Sequence, residues 1–246
     1  NEITGIRAIL NGTCNYILSS MADKEESFDD ALKMAQKKGF AEADPTLDIN
    51  GGDSAHKLAI LASLALGYEI HLDDVYSEGI ENTNIADIKY GRELGYTLKL
   101  LAIAEKSNDG KITLKVHPSF IDKNDALAKV NGSFNAISIF GSAVGQVMFY
   151  GRGAGMMPTA SAVVADIIEV ASGNSTNTFQ QRRLKPNKEF KQIHEKIDDS
   201  TSRFYIRLMV KDQAGVFVQI GKILAERDIS ISGLIQREEE GPDNTV

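Results

Sequence analysis

Apolar residues along this chain change spacing several times, and the changes outline its elements. Asn1–Leu10 alternates loosely and predicts a strand, which Asn11-Gly12-Thr13 breaks. Thr13 is a candidate cap for a helix through Met21. Ser27, with Asp29 and Asp30 behind it, opens a second helix that buries Ala31, Leu32, Met34 and Ala35. Gly39 supplies its left-handed stop. A third helix starts at Asp53 or Ser54 and ends at Gly67. Leu58, Ala59, Leu61, Ala62, Ala65 and Leu66 cover most of its circumference, which predicts burial on nearly all sides. Ile85–Leu94 reads as a short helix.

Strand signals follow. Tyr96–Glu105 and Lys111–Val116 flank the turn Asn108-Asp109-Gly110, and Asn135–Phe140 and Val144–Tyr150 flank a Gly141/Gly145 turn. Gly151-Arg152-Gly153-Ala154-Gly155 leads into a helix, Pro158–Ala171. Phe179–Asp199 is charged and poor in pattern, so it reads as a linker. Thr201–Asp212, Gly215–Asp228 and Ile229–Glu238 read as strand, helix and strand. The predicted fold is α+β: helices on a mixed or antiparallel sheet, followed by a partial β–α–β unit. The expected organisation is a substrate-binding domain over 1–150, a glycine turn and helix over 151–172, a linker over 173–199 and a small domain over 200–246.

Composition narrows the class. The 246 residues carry a net charge of −7, which argues against a nucleic-acid partner. The single cysteine, Cys14, rules out an internal disulfide framework and fits a reducing compartment such as the cytoplasm. No apolar run is long enough for a membrane span, and there is no signal peptide. The chain opens without Met inside a structured pattern and so reads as part of a longer polypeptide. His56, His71, His117 and His194 lack ligand spacing, so no metal site is expected.

The chemistry concentrates between Gly39 and Leu61. Glu42, Asp44, Asp48 and Asp53 gather near Lys57, and Asp53 and Lys57 lie one helical turn apart. The plain alternative is a surface ion pair worth about 0.3–0.5 kcal/mol. The apolar helix and the adjacent Gly51 and Gly52 favour a site instead. A lysine beside apolar walls, steered by an acid, can shuttle a proton. The neighbouring carboxylates can accept hydrogen bonds from an ammonium or hydroxyl group. Their spacing does not match a calcium loop. The glycine turn at 151–155 reads equally as a phosphate cradle at a helix start or as a tight strand-to-helix turn.

Three segments together resemble homoserine dehydrogenase: Ile9–Ile17 (ILNGTCNYI); Gly39–Pro45 (GFAEADP) through Asp48, Asp53 and Lys57; and Gly151–Gly155 with Pro158, Thr159 and Asp166. The resemblance spans residues 1 to about 172. It implies NAD(P)-dependent interconversion of L-homoserine and L-aspartate 4-semialdehyde, a step towards threonine, methionine and isoleucine. By position, Lys57 is the proton donor and acceptor. Glu42 and Asp53 bind homoserine, with Asp48 and Thr13 in support. Gly39 and Gly155 lie at the cofactor or at a nearby monovalent cation held mainly by a missing upstream region.

That upstream region would be a nucleotide-binding domain, absent from this chain, so the chain alone is expected to be inactive. Phe204–Ile220 resembles an ACT regulatory domain, with Asp212 and Gly215 at the turn that would take an amino-acid effector such as threonine. Ala214 stands where that family usually has proline. A homodimer or larger assembly is expected. The rival is a non-enzymatic amino-acid sensor; a fusion to aspartate kinase fits less well with the ACT-like segment.

Overall fold

A six-stranded mixed sheet organises the longer of two units in the computed structural model, in the order β2-β4-β3-β1-β5-β6. The structure describes residues 2–174, 183–211 and 213–236. The units are Asn1–Ser202 and Arg203–Val246. The strands are β1 (Ile3–Ile9), β2 (Tyr76–Ser77), β3 (Tyr96–Lys106), β4 (Ile112–Asp122), β5 (Phe134–Gly141) and β6 (Gly145–Arg152). All pairings are antiparallel except the short β2–β4 rung at Tyr76–Lys115 and Ser77–Val116.

β4 runs beyond its expected end at Val116 and includes Pro118. β2 pairs with β4 only at Lys115 and Val116. Past that point β4 is an edge strand, where a missing N–H is tolerated.

Helices cover one face of the sheet. They are α1 (Gly12–Lys24), α2 (Phe28–Lys37), α3 (Thr46–Ile49), α4 (Gly52–Leu66) and α5 (Ile85–Glu93). Alternate residues of three central strands face them: Ile6 and Ala8 on β1, Leu98, Leu100 and Ala102 on β3, and Ile112, Leu114 and Val116 on β4. They pack with Ile17, Met21, Leu58 and Ala62 from α1 and α4. A smaller cluster of Ile9, Leu101, Ile103, Leu127, Val130 and Ala136 forms from the alternate positions.

Four expectations change. Asn11, not Thr13, caps α1, accepting a hydrogen bond from the Cys14 amide, and the helix runs on to Lys24. α4 is not buried all round, since His56, Lys57 and Ile60 form an exposed flank. The stretch expected to be a linker contains α7 (Asn187–Ile193), whose Phe190 is completely buried. Its charge hides one decisive aromatic: Phe190 meets the ring of Tyr68 at 6.0 Å and stacks on His194 at 5.1 Å. Asn187 adds a 2.6 Å bond to the buried Asp74 carboxylate.

The fourth change lies in the second unit. It contains α8 (Val216–Ala225), starting from a left-handed Gly215. Among the described residues, 201–210 and 229–236 carry no strand. Alternation shows that a segment suits a sheet, but a strand also needs a paired neighbour. Phe204, Ile206 and Leu208 remain exposed. Asp212 lies outside the described residues. No helix among those described is long and apolar enough to cross a membrane.

One buried cation belongs to the scaffold. Lys99 is 1% exposed, and its Nζ donates to Val130 O at 2.6 Å, Asn15 Oδ1 at 3.1 Å and Asn131 Oδ1 at 3.2 Å. Asn15 in turn donates to the carbonyls of Val130, Gly132 and Phe134. Burial pushes the Lys99 ammonium down to about 8 from 10.5.

Two stability measurements follow. Phe190→Ala is expected to cost about 3–5 kcal/mol in urea unfolding, which a detached linker would not show. Between pH 8 and 10.5 the folded chain has released the Lys99 proton while the unfolded chain keeps it, so this group's contribution to stability rises with pH in that window. The stability of the wild type relative to Lys99→Met is therefore expected to increase across it, by on the order of 3 kcal/mol. A flat difference would contradict the assignment.

Candidate active site

The acidic segment is rigid because its polar groups serve the backbone first. Asp44 accepts from the Thr46 amide at 3.1 Å and the Thr46 hydroxyl at 2.6 Å, which starts α3. These bonds hold its carboxyl below the usual range, and they commit Asp44 to the turn. Asn50 Oδ1 accepts from Gly52 N at 2.8 Å, and the chain enters α4 through Gly51 at φ +84°.

The glycines here answer to the protein's own backbone. A Cβ on Gly51 would fall 2.9 Å from Ser77 Oγ, and one on Gly79 only 2.0 Å from the Ile49 carbonyl oxygen. The Ile80 amide closes the contact with a 2.8 Å bond to that oxygen. The loop between β2 and α5 thus clamps the α3–α4 corner.

This corner places Asp48 and Asp53 around the start of α1. Asn11 is almost fully buried, and its Oδ1 accepts from Cys14 N at 2.8 Å. Its amide nitrogen therefore points the other way, donating to Asp48 Oδ1 at 2.7 Å and Asp53 Oδ2 at 2.8 Å. Asp53 Oδ2 also receives Lys57 Nζ at 2.7 Å. Lys57 Nζ donates again to the Leu10 carbonyl at 3.2 Å. An ammonium has three N–H groups. The third has no partner among the described residues, and the Lys57 side chain is 48% exposed. Asp53 sits in the first turn of α4, where the helix dipole favours an anion.

The other predicted residues divide. Thr13 donates to the Phe40 carbonyl at 2.6 Å, and Phe40 packs on Tyr16 at 4.9 Å, so the Gly39–Phe40 turn is tied to α1. Gly39 has φ +73°, and a Cβ there would meet nothing within 4 Å. The Glu42 carboxylate is exposed and has no hydrogen-bond or ion-pair partner among the described residues. Gly155 starts α6 (Met156–Ala171) at φ +127°, and no side chain caps that helix. Buried Cys14 donates its thiol to Asp48 O at 3.2 Å. Burial first, and then the nearby Asp48, Asp53 and Glu81 charges, push that thiol far above its ordinary range, so it is no nucleophile. Sequence reasoning missed Asn11 and the Leu10 carbonyl. Asparagine is among the strongest N-cap residues, so Asn11 carried a usable signal.

Together these features define an α+β domain that gathers Asp48, Asp53 and Lys57 around the start of α1. The family model for homoserine dehydrogenase matches residues 1–168. A homoserine dehydrogenase of Helicobacter pylori is 47% identical over 97% of the chain and 55% of its own length. One from Pseudomonas aeruginosa is 42% identical over 100% of the chain and 57% of its own length. The crystal structure of a homoserine dehydrogenase from Thiobacillus denitrificans superposes with a TM-score of 0.80 at 39% identity, covering 97% of this chain and 56% of that one. A hyperthermophilic archaeal homoserine dehydrogenase solved in complex with NADPH gives 0.58 at 30% identity, covering 70% of this chain and 48% of that one. The chain belongs to the homoserine dehydrogenase family, a family of oxidoreductases. It spans about half the length of the curated relatives it matches.

Asn11 gives this arrangement a direct test. Asn11→Asp keeps the capping oxygen but sets a third carboxylate against Asp48 and Asp53. Asn11→Ala loses only the cap and the bridging amide, and the cap alone is worth roughly 1 kcal/mol. At pH 7 the Asp variant is expected to be the less stable of the two in urea unfolding.

Proposed function

We propose that the protein carrying this chain interconverts L-homoserine and L-aspartate 4-semialdehyde, with Lys57 as its acid/base. The carrying observation is the Lys57 ammonium, held 2.7 Å from Asp53 and 3.2 Å from the Leu10 carbonyl. Two fixed bonds leave one N–H for the substrate oxygen. In the oxidative direction Lys57, as the free amine, takes the hydroxyl proton of homoserine. In the reductive direction its ammonium returns that proton and stabilises negative charge developing on the aldehyde oxygen. Glu42, whose carboxylate is unclaimed, binds the substrate ammonium. Asp53 and Asp48 orient Lys57 and the substrate, with Thr13 supporting the turn beside them.

NAD(P), when bound, supplies the hydride acceptor or donor. The backbone at Gly39 and Gly155 fits such a group: both turns are exposed, and only Pro158 ring atoms approach a Cβ on Gly155 within 4 Å. An accompanying monovalent cation belongs to the same reading. The region supplying most of the nucleotide contacts lies outside residues 1–246. The organisation proposed is substrate-binding residues 1–150, a returning segment 151–172, a stretch over 173–199 whose helix α7 packs into the core, and a regulatory unit over 200–246. The alternating sequence and α8 beginning at Gly215 support an ACT-like unit that responds to an amino acid such as threonine. Exposed Val147, Phe149 and Tyr150 on edge strand β6 support a homo-oligomer. A reducing cytoplasm suits the buried free thiol.

Lys57→Ala, in protein that includes the nucleotide-binding region, tests the reading with homoserine and NADP⁺. Turnover is expected to fall about 10²–10⁴-fold while the unfolding midpoint barely moves. Near-wild-type turnover would defeat the enzymatic assignment and favour an amino-acid-binding role.

A further inference from the structure

The Leu10 carbonyl that holds Lys57 has a second donor. Asn135 Nδ2 reaches it at 3.1 Å, against 3.2 Å for Lys57 Nζ. Both acceptor positions of this oxygen are then filled, so it cannot tilt towards the lysine or away from it without losing a bond. The amide of Asn135 has only one workable orientation, since its oxygen would repel the carbonyl. That orientation leaves Asn135 Oδ1 buried with no partner among the described residues. A buried acceptor left unpaired calls for an explanation.

The surroundings of Asn135 supply one. It is the second residue of β5 and pairs in register with Gly151, the first residue of the glycine turn. A Cβ on Gly153 would fall 2.0 Å from Asn135 Nδ2. On its other side, a Cβ on Gly12 would come 2.7 Å from the Ser133 carbonyl oxygen and 3.4 Å from Asn135 Oδ1. Two glycines thus leave room for this one amide, between the start of α1 and the turn that leads to α6.

We infer that Asn135 is a positioning residue: through the Leu10 carbonyl it fixes the Lys57 ammonium, and it seats the glycine turn in register with that lysine. The inference rests on the acid/base reading of Lys57. Among the described residues Asn135 makes no hydrogen bond to Asp48 or Asp53, so it sets the geometry of proton transfer and leaves the grip on the substrate to the carboxylates.

The test uses protein that includes the nucleotide-binding region, with homoserine and NADP⁺. Asn135→Ala is expected to lower kcat roughly 10- to 100-fold, as small misplacements of a reacting group do. KM for homoserine is expected to stay within about twofold, because the carboxylates are untouched. A general loss of structure would move both. An unchanged kcat, or a raised KM alone, overturns the inference. Gly153→Ala keeps the test decisive if Asn135→Ala does not fold. Gly153 has no positive φ, so the added methyl acts by pressing on the Asn135 amide. It is expected to lower kcat in the same way. The double variant Gly153→Ala/Asn135→Ala is expected to be no slower than the worse single variant, and fully additive losses count against the shared contact. Lys57→Ala run in parallel separates the failures. If it turns over normally, the acid/base reading falls and the inference with it. If it is inactive while Asn135→Ala keeps its kcat, the inference falls alone.

Discussion

The cluster depends on a single amide with no freedom to turn. Asn11 must offer its oxygen to the Cys14 amide, because a helix start leaves that N–H without an intrahelical partner. Its NH₂ group then has to face outward, and the two hydrogens meet two carboxylates, Asp48 and Asp53. A rule of helix termination is thereby converted into a fixed spacing between acids that would otherwise repel. Lys57 completes the charge arrangement on Asp53, and the end of β1 supplies the carbonyl that holds it.

Each support comes from a different part of the chain. The β1–α1 junction gives the carbonyl and the cap. The α3–α4 corner gives the acids and the lysine, and the loop between β2 and α5 gives the clamp. The sheet unites them, because β1 lies between β3 and β5 while α1 and α4 pack on the same face. Lys99 and Asn15 apply the same device in the scaffold, where side-chain polar groups tie down the carbonyls of residues 130–134. Neither network is an isolated surface ion pair, and the worth of each lies in where it holds the chain.

Much of this was legible in the sequence, and the failures have physical reasons. Local signals were reliable where one residue decides the conformation. Ser27 caps α2, Gly67 ends α4 and Gly110 turns the β3–β4 hairpin as expected. The Asp53–Lys57 pair followed from helical spacing alone. Competition between two good caps was harder to judge, and Asn11 displaced Thr13. Long-range packing was not legible. Nothing adjacent to Phe190 shows that its ring enters the core beside Tyr68, and charge around it disguised a packed helix as a linker. The glycines at 51 and 52 looked like room for a ligand, whereas Gly51 answers to residues 77 and 78, which are distant in sequence. Alternation at 201–212 showed an inclination to pair, but the described residues 201–210 form no strand.

The contact between Gly79 and Ile49 also bears on how this domain can change over time. A loop carrying none of the reacting groups serves as the template on which the acidic corner is moulded. Lengthening or bulking that loop would shift the whole acidic corner, so variation there would reshape the corner while every side chain in it kept its identity.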